Sequence, residues 1–165
     1  MNEFLILFIL KIKDSNIYEI KKFIDKNLAP FMQISTGAIL PALNRLEKQE
    51  LIKSEKAISK GGLKKSIYKI QPKGEERFNS FLSQPIVGAP QIARREIEVL
   101  SALLGHEIFT EDQNVLLQEK ISNALQDNIS LLKKTLTLKA LNQQYFELEL
   151  EYTKKKLNSI LNSAQ

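Results

Sequence analysis

Lys60, Lys64 and Lys65 surround the pair Gly61-Gly62. Glycines in a turn let backbone approach a phosphate without side-chain obstruction. Clustered ammonium groups displace counterions condensed on a duplex, giving an affinity that falls steeply with salt. A solvated lysine-rich hairpin has the same composition, so the neighbouring residues decide the matter. Upstream, Ser35, Thr36 and Asn44 can hydrogen-bond phosphates or base edges. Thr36, Leu40, Asn44 and Lys48 recur every fourth residue, which places them on one helical stripe that a groove would meet. Arg45 and Lys48 suit backbone phosphates better than bases. Tyr18, Lys21 and Lys22 could clamp a flanking phosphate, although Tyr18 is equally suited to a core.

Other chemistries find little support. The chain has no Cys and one His, His106, so a thiol nucleophile, a disulfide and a cysteine-ligated metal are excluded. His106 follows Gly105 and is expected to interact with the preceding helix C-terminus. Glu75-Glu76 and Glu147, Glu149 and Glu151 invite an acid–base reading, but their spacing scatters them around helices as solvated faces. There is no glycine-rich nucleotide loop. The expectation is no enzyme, no cofactor and no metal.

The elements that must position the basic and polar residues are readable from periodicity and punctuation. Phe4–Lys13 reads as a buried helix, and 15–27 as a second, with Ile17, Ile20, Ile24 and Leu28 at spacings of three and four. Ser35 is the expected N-cap of a third helix reaching about Gln49. Its apolar face is Ile39, Leu43 and Leu46, with Ala42 beside them. Pro41 inside it predicts a kink or a late start, eased by Gly37 one turn earlier. Leu51–Ile58 and Ser66–Ile70 read as strands joined through SKGGLKK, and Pro72 opens a fourth helix to Leu82. Helix, helix, strand, turn and strand in this order describe a recognition helix followed by a two-stranded wing, an arrangement that holds duplex DNA.

All six Gly and all five Pro lie between Pro30 and Gly105, and the absence of both afterwards favours long helices. QPIVGAP at 84–90 reads as a linker, dividing residues 1–84 from 91–165. Ile92–Leu104 is amphipathic, with Gly105 as its C′ residue. Thr110 and Gln113 form a capping box for a helix carrying Leu117, Ile121, Leu125, Ile129, Leu132 and Leu136. Asn142–Leu161 continues with Phe146, Leu150, Leu157 and Ile160, and with Tyr145, Leu148 and Tyr152 beside them. These apolar residues occupy more than one narrow stripe. A lone helical hairpin cannot cover them, which predicts pairing with a second copy through Leu117, Ile121, Leu125, Phe146, Leu150, Leu157 and Ile160.

Charge follows the same division. The net charge is +5, yet residues 1–88 carry 15 Lys and Arg against 9 Asp and Glu, while 89–165 carry 9 against 10. A polyanion-binding N-terminal half and a neutral C-terminal half with another job are implied. The apolar start MNEFLILFIL has Glu3 in place of a basic n-region and stops at Lys11. It is too short to span a bilayer and lacks a cleavage site, so a cytoplasmic protein without membrane association is expected.

STGAILPALNRLEKQELI resembles the signature of PadR-like bacterial transcriptional regulators, Ser-x-Gly-x-Leu-Tyr-Pro-Ala-Leu-x-Arg-Leu-Glu, through Ser35, Gly37, Pro41, Ala42, Leu43, Arg45, Leu46 and Glu47. GGLKKSIYKIQPKGEERF is similar to that family's wing and following helix through Gly62, Lys65, Tyr68, Ile70 and Gly74. REIEVLSALLGHEIFTEDQNVLLQEKI is similar to the C-terminal region of its longer members. The chain departs from the pattern at Leu40 (usually Tyr), Asn44 (commonly basic) and Gln71 (usually Thr); the first two reduce phosphate contact. The resemblance implies a mainly α fold with a small β-wing: a winged helix-turn-helix N-terminal domain and a helical C-terminal dimerisation domain. It also implies a homodimeric repressor on duplex DNA, released in some members by a small aromatic or drug-like ligand. The alternative is a winged-helix protein-interaction module without DNA binding. The expected DNA contacts are Tyr18, Lys21, Lys22, Ser35, Thr36, Gly37, Leu40, Asn44, Arg45, Lys48, Lys60, Gly61, Gly62, Lys64 and Lys65.

Overall fold

The structure is a computed structural model that describes residues 1–58, 62, 64–137 and 143–162. Its elements are α1 (Asn2–Ile12), α2 (Ile17–Asn27), α3 (Thr36–Lys48), β1 (Ile52–Ile58), β2 (Lys64–Ile70), α4 (Pro72–Ser83), α5 (Pro90–Leu103), α6 (Glu111–Thr137) and α7 (Gln143–Asn162). They fall into two compact units, Met1–Leu82 and Ser83–Gln165. Among the described residues no helix is long and apolar enough to cross a membrane.

The N-terminal unit is built around α1, whose residues Phe4 to Leu10 are all buried. A helix apolar on every side must be wrapped by other elements. Ile20 and Ile24 of α2, Ile39, Leu43 and Leu46 of α3, and Phe78 and Leu82 of α4 contribute to the same core. Phe4 stacks on Phe78 and Phe81 with centroids 5.1 and 4.1 Å away, a geometry aromatic pairs favour. The second helix begins later than periodicity predicts, because Asn16 and Glu19 form a capping box before Ile17.

β1 and β2 pair antiparallel, with Ile52 opposite Ile70 and Ile58 opposite Lys64. β2 therefore starts two residues earlier than its composition suggests, and the lysines are part of the strand. Ser15, between α1 and α2, exchanges two backbone hydrogen bonds with Tyr68 (3.1 and 2.9 Å), anchoring the base of the ribbon. Gly74 is needed where α4 begins: a Cβ there would lie 2.1 Å from the Leu51 carbonyl oxygen.

In the C-terminal unit, α6 and α7 lie side by side and α5 packs on α6. Thr110 and Gln113 form the expected reciprocal cap (3.2 and 3.0 Å). Gly105 takes φ +80° just beyond α5. His106 meets the end of α5 as expected, its amide donating to the Leu103 carbonyl (3.1 Å), and its ring accepts from the Ile108 amide through Nδ1, 3.2 Å away. Lys156 and Lys120 pair with Glu98 and Glu96 of α5 at 2.5 and 3.5 Å.

Candidate nucleic-acid interface

α3 divides cleanly into two faces. Ile39, Ala42, Leu43 and Leu46 are fully buried, whereas Thr36, Gly37, Leu40, Pro41, Asn44 and Lys48 are exposed. The helix starts at Thr36 despite Pro41, so the late start does not occur. Gly37 sits where the proline ring needs room, one turn earlier. From Thr36 to Asn44 the helix carries no charge. Its outward face offers a hydroxyl and an amide, which can meet phosphates or base edges, and the apolar leucine and proline side chains.

Ser35 occupies the N-cap with extended backbone, but its side chain makes no capping hydrogen bond. The expected cap is corrected: the backbone carbonyl alone is engaged, accepting from Ala38 and Ile39 (2.9 and 3.2 Å). The hydroxyl and the first amides of α3 are left to an outside acceptor, such as a phosphate oxygen.

Cations near this face differ in their commitments. Arg45 is held by Glu3 of α1 at 2.9 Å. A surface pair of this kind is worth about 0–1 kcal/mol, so a phosphate can compete for the guanidinium. Lys21 is paired within α2 with Asp25, at 2.6 Å. Lys22 and Lys48 are exposed with no ion-pair partner among the described residues. Tyr18 is 70% exposed, which removes it from the core; its amide serves the Asn16 cap.

The pleat of the ribbon separates the wing lysines. Ser54, Lys56 and Ile58 of β1 lie opposite Tyr68, Ser66 and Lys64 of β2 on one face; Lys53, Glu55 and Ala57 lie opposite Lys69, Ile67 and Lys65 on the other. Glu47 near the end of α3 accepts from the Ser54 hydroxyl at 2.5 Å as well as from its amide at 3.0 Å, and the side-chain bond identifies the Ser54 face as the one turned toward α3. Lys64 is on that face and Lys65 is not. Lys56, which sequence inspection did not single out, joins Lys64 there; its signal was the two-residue alternation with Ser54. Two ammonium groups at diagonal positions repel unless an anion lies between them. Lys69 is occupied by Asp14 and Glu55 at 3.5 and 3.2 Å, and those carboxylates raise its pKa above the usual lysine value. Gly62 has φ +78° with nothing near its Cα substituent position. Lys60 and Gly61 lie outside the described residues.

Of the residues expected at a subunit contact, Leu117, Ile121, Leu125 and Ile160 are buried within the C-terminal unit of one chain. Phe146, Leu150 and Leu157 are half-buried. Tyr145, Leu148 and Tyr152 form an outward stripe on α7. A groove of about 430 Å³ between α5, α6 and α7 is lined by Ile97, Leu131, Leu132, Tyr145 and Phe146, with Arg94, Asp127 and Glu149 among its polar residues.

The sequence profile of the transcriptional regulator PadR-like family matches residues 6–80. A PadR-like transcriptional regulator from Bacillus cereus is 33% identical over 48% of this chain and 75% of its own, with a TM-score of 0.42. A PadR family transcription regulator from Clostridium difficile is 27% identical over 63% and 98%, with a TM-score of 0.44. Bacillus subtilis PadR, solved in complex with operator DNA, is 16% identical over 98% and 96%, with a TM-score of 0.48. A search of curated proteins gave no match.

Proposed function

Because the chain belongs to the PadR-like family of transcriptional regulators, we propose that it is a cytoplasmic homodimeric repressor that occupies a two-fold operator. The observation that carries this reading is the uncharged, exposed stripe Thr36–Leu40–Asn44 on α3, beside a ribbon face bearing Lys56 and Lys64. The stripe enters a major groove, and the wing tracks the flanking phosphate. Ser35 and the first α3 amides take a backbone oxygen, while Tyr18, Lys22, Arg45 and Lys48 add phosphate contacts. Two copies then read half-sites separated by about one helical turn or a multiple of it.

The second copy is supplied by the C-terminal unit. With Leu117, Ile121 and Leu125 consumed inside one chain, the exposed Tyr145–Leu148–Tyr152 stripe, with Phe146, Leu150 and Leu157 beneath, is the surface assigned to it. The groove lined by Tyr145 and Phe146 has a volume in the range of small-molecule sites, which supports binding of a small aromatic compound there, and in this reading such a compound releases DNA.

Fluorescence anisotropy with promoter duplexes from neighbouring genes tests the reading, alongside light scattering for oligomeric mass. Binding that weakens with salt, by a protein of twice the protomer mass, is expected. A second reading, an interaction module without DNA binding, is favoured by Leu40 on the outward stripe. Failure to bind any duplex at low salt would establish that reading instead.

A further inference from the structure

Leu40 is 46% exposed in the middle of the outward face of α3, while Ile39 and Leu43 on either side are completely buried. The core is thus already filled by its neighbours, and Leu40 is not overflow from it. Resting on the DNA-binding reading above, we propose that Leu40 contacts the C5-methyl group of a thymine and makes that base a requirement of each operator half-site.

The chemistry of the major groove narrows the choice. Adenine, guanine and cytosine present only donors and acceptors there, whereas thymine adds a methyl group. A leucine pressed against the other three edges would strip water from polar atoms without replacing their hydrogen bonds, which is unfavourable. Against thymine it buries one apolar group on another. Thr36 and Asn44, one turn to either side and both exposed, can satisfy polar atoms of adjacent bases. Leu40 is then the member of the stripe whose contact is purely apolar. No charge between Thr36 and Asn44 competes by drawing the helix toward phosphate instead.

The experiment uses the full chain and duplexes selected by it from a random pool. Each thymine of the selected half-site is replaced in turn by deoxyuridine, which removes the methyl group and nothing else. For the native protein, one position per half-site should weaken binding roughly three- to fivefold, the value expected for one buried methyl-sized group. For Leu40→Ala, that same replacement should have no effect, while Asn44→Ala should retain it. Leu40 is exposed and alanine is the best helix former, so the variant keeps its fold, which circular dichroism checks. A selected site with no deoxyuridine-sensitive position, or a penalty that survives Leu40→Ala, overturns the inference and leaves DNA binding standing. Absence of binding to any duplex rejects the DNA-binding reading itself, and the inference with it.

Discussion

Glu47 on α3 accepts hydrogen bonds from both the backbone amide and the hydroxyl of Ser54 on β1, the former at 3.0 Å. One carboxylate thereby joins the helix whose outward face is uncharged to the ribbon that carries the lysines. It also stands near Tyr68, whose pKa is raised first by burial and then by the Glu47 charge, against a lowering contribution from Ser66.

Glu47→Ala should lower stability by about 2 kcal/mol, the usual loss when a charged acceptor leaves a partly buried amide unmatched. Ser54→Ala should cost less, because the amide keeps its acceptor. Urea unfolding of both variants gives the ranking, and equal losses would contradict it.

On the ribbon, Lys56→Ala with Lys64→Ala should reduce affinity for all duplex sequences. The same change should flatten the salt dependence by about two phosphate equivalents, each worth a slope near 0.9. The opposite-face pair Lys53→Ala with Lys65→Ala should do much less. Anisotropy titrations over a range of salt concentrations decide between them; similar losses for both pairs would refute the assignment of faces.

Gly74→Ala forces a Cβ to 2.1 Å from the Leu51 carbonyl oxygen, so either the start of α4 or the α3–β1 turn must shift. We expect a loss of about 3 kcal/mol, at the upper end for overpacking. Gly62→Ala meets no neighbour and carries only the strain of its φ of +78°, about 1 kcal/mol. Thermal unfolding of the two variants should separate them clearly.

Lys120 is 6% exposed and donates to the Gln84 carbonyl at 2.8 Å. Burial lowers its pKa, with Glu96 opposing the shift. Lys120→Met removes the partner of both groups and should cost about 3 kcal/mol near neutral pH. The pH effect has a definite sign. Where the folded chain has released this proton and the unfolded chain still holds it, stability rises with pH. The native protein should therefore gain on Lys120→Met between the lowered value and 10.5. Paired unfolding curves across that interval check it, and a shrinking difference would contradict the burial assignment.

Periodicity and punctuation carried most of the architecture. The two apolar faces of α2 and α3, the hairpin, the Thr110 cap and the helical turn at Gly105 all arise from interactions within a few residues, and such interactions leave a local pattern. The recurrence of Thr36, Leu40, Asn44 and Lys48 placed the outward stripe of α3 correctly for the same reason, since residues four apart share a face whatever surrounds them. What no local pattern contained was the partner of each side chain. Arg45 meets Glu3 from 42 positions away, and the Ser35 hydroxyl is left without its expected cap. Lys64 and Lys65 part company once the strand register is set. Leu117, Ile121 and Leu125 are consumed within their own unit, although their apolar pattern suits a subunit contact equally well. Helical and strand periods report which residues look the same way; only packing of distant segments decides what they look at.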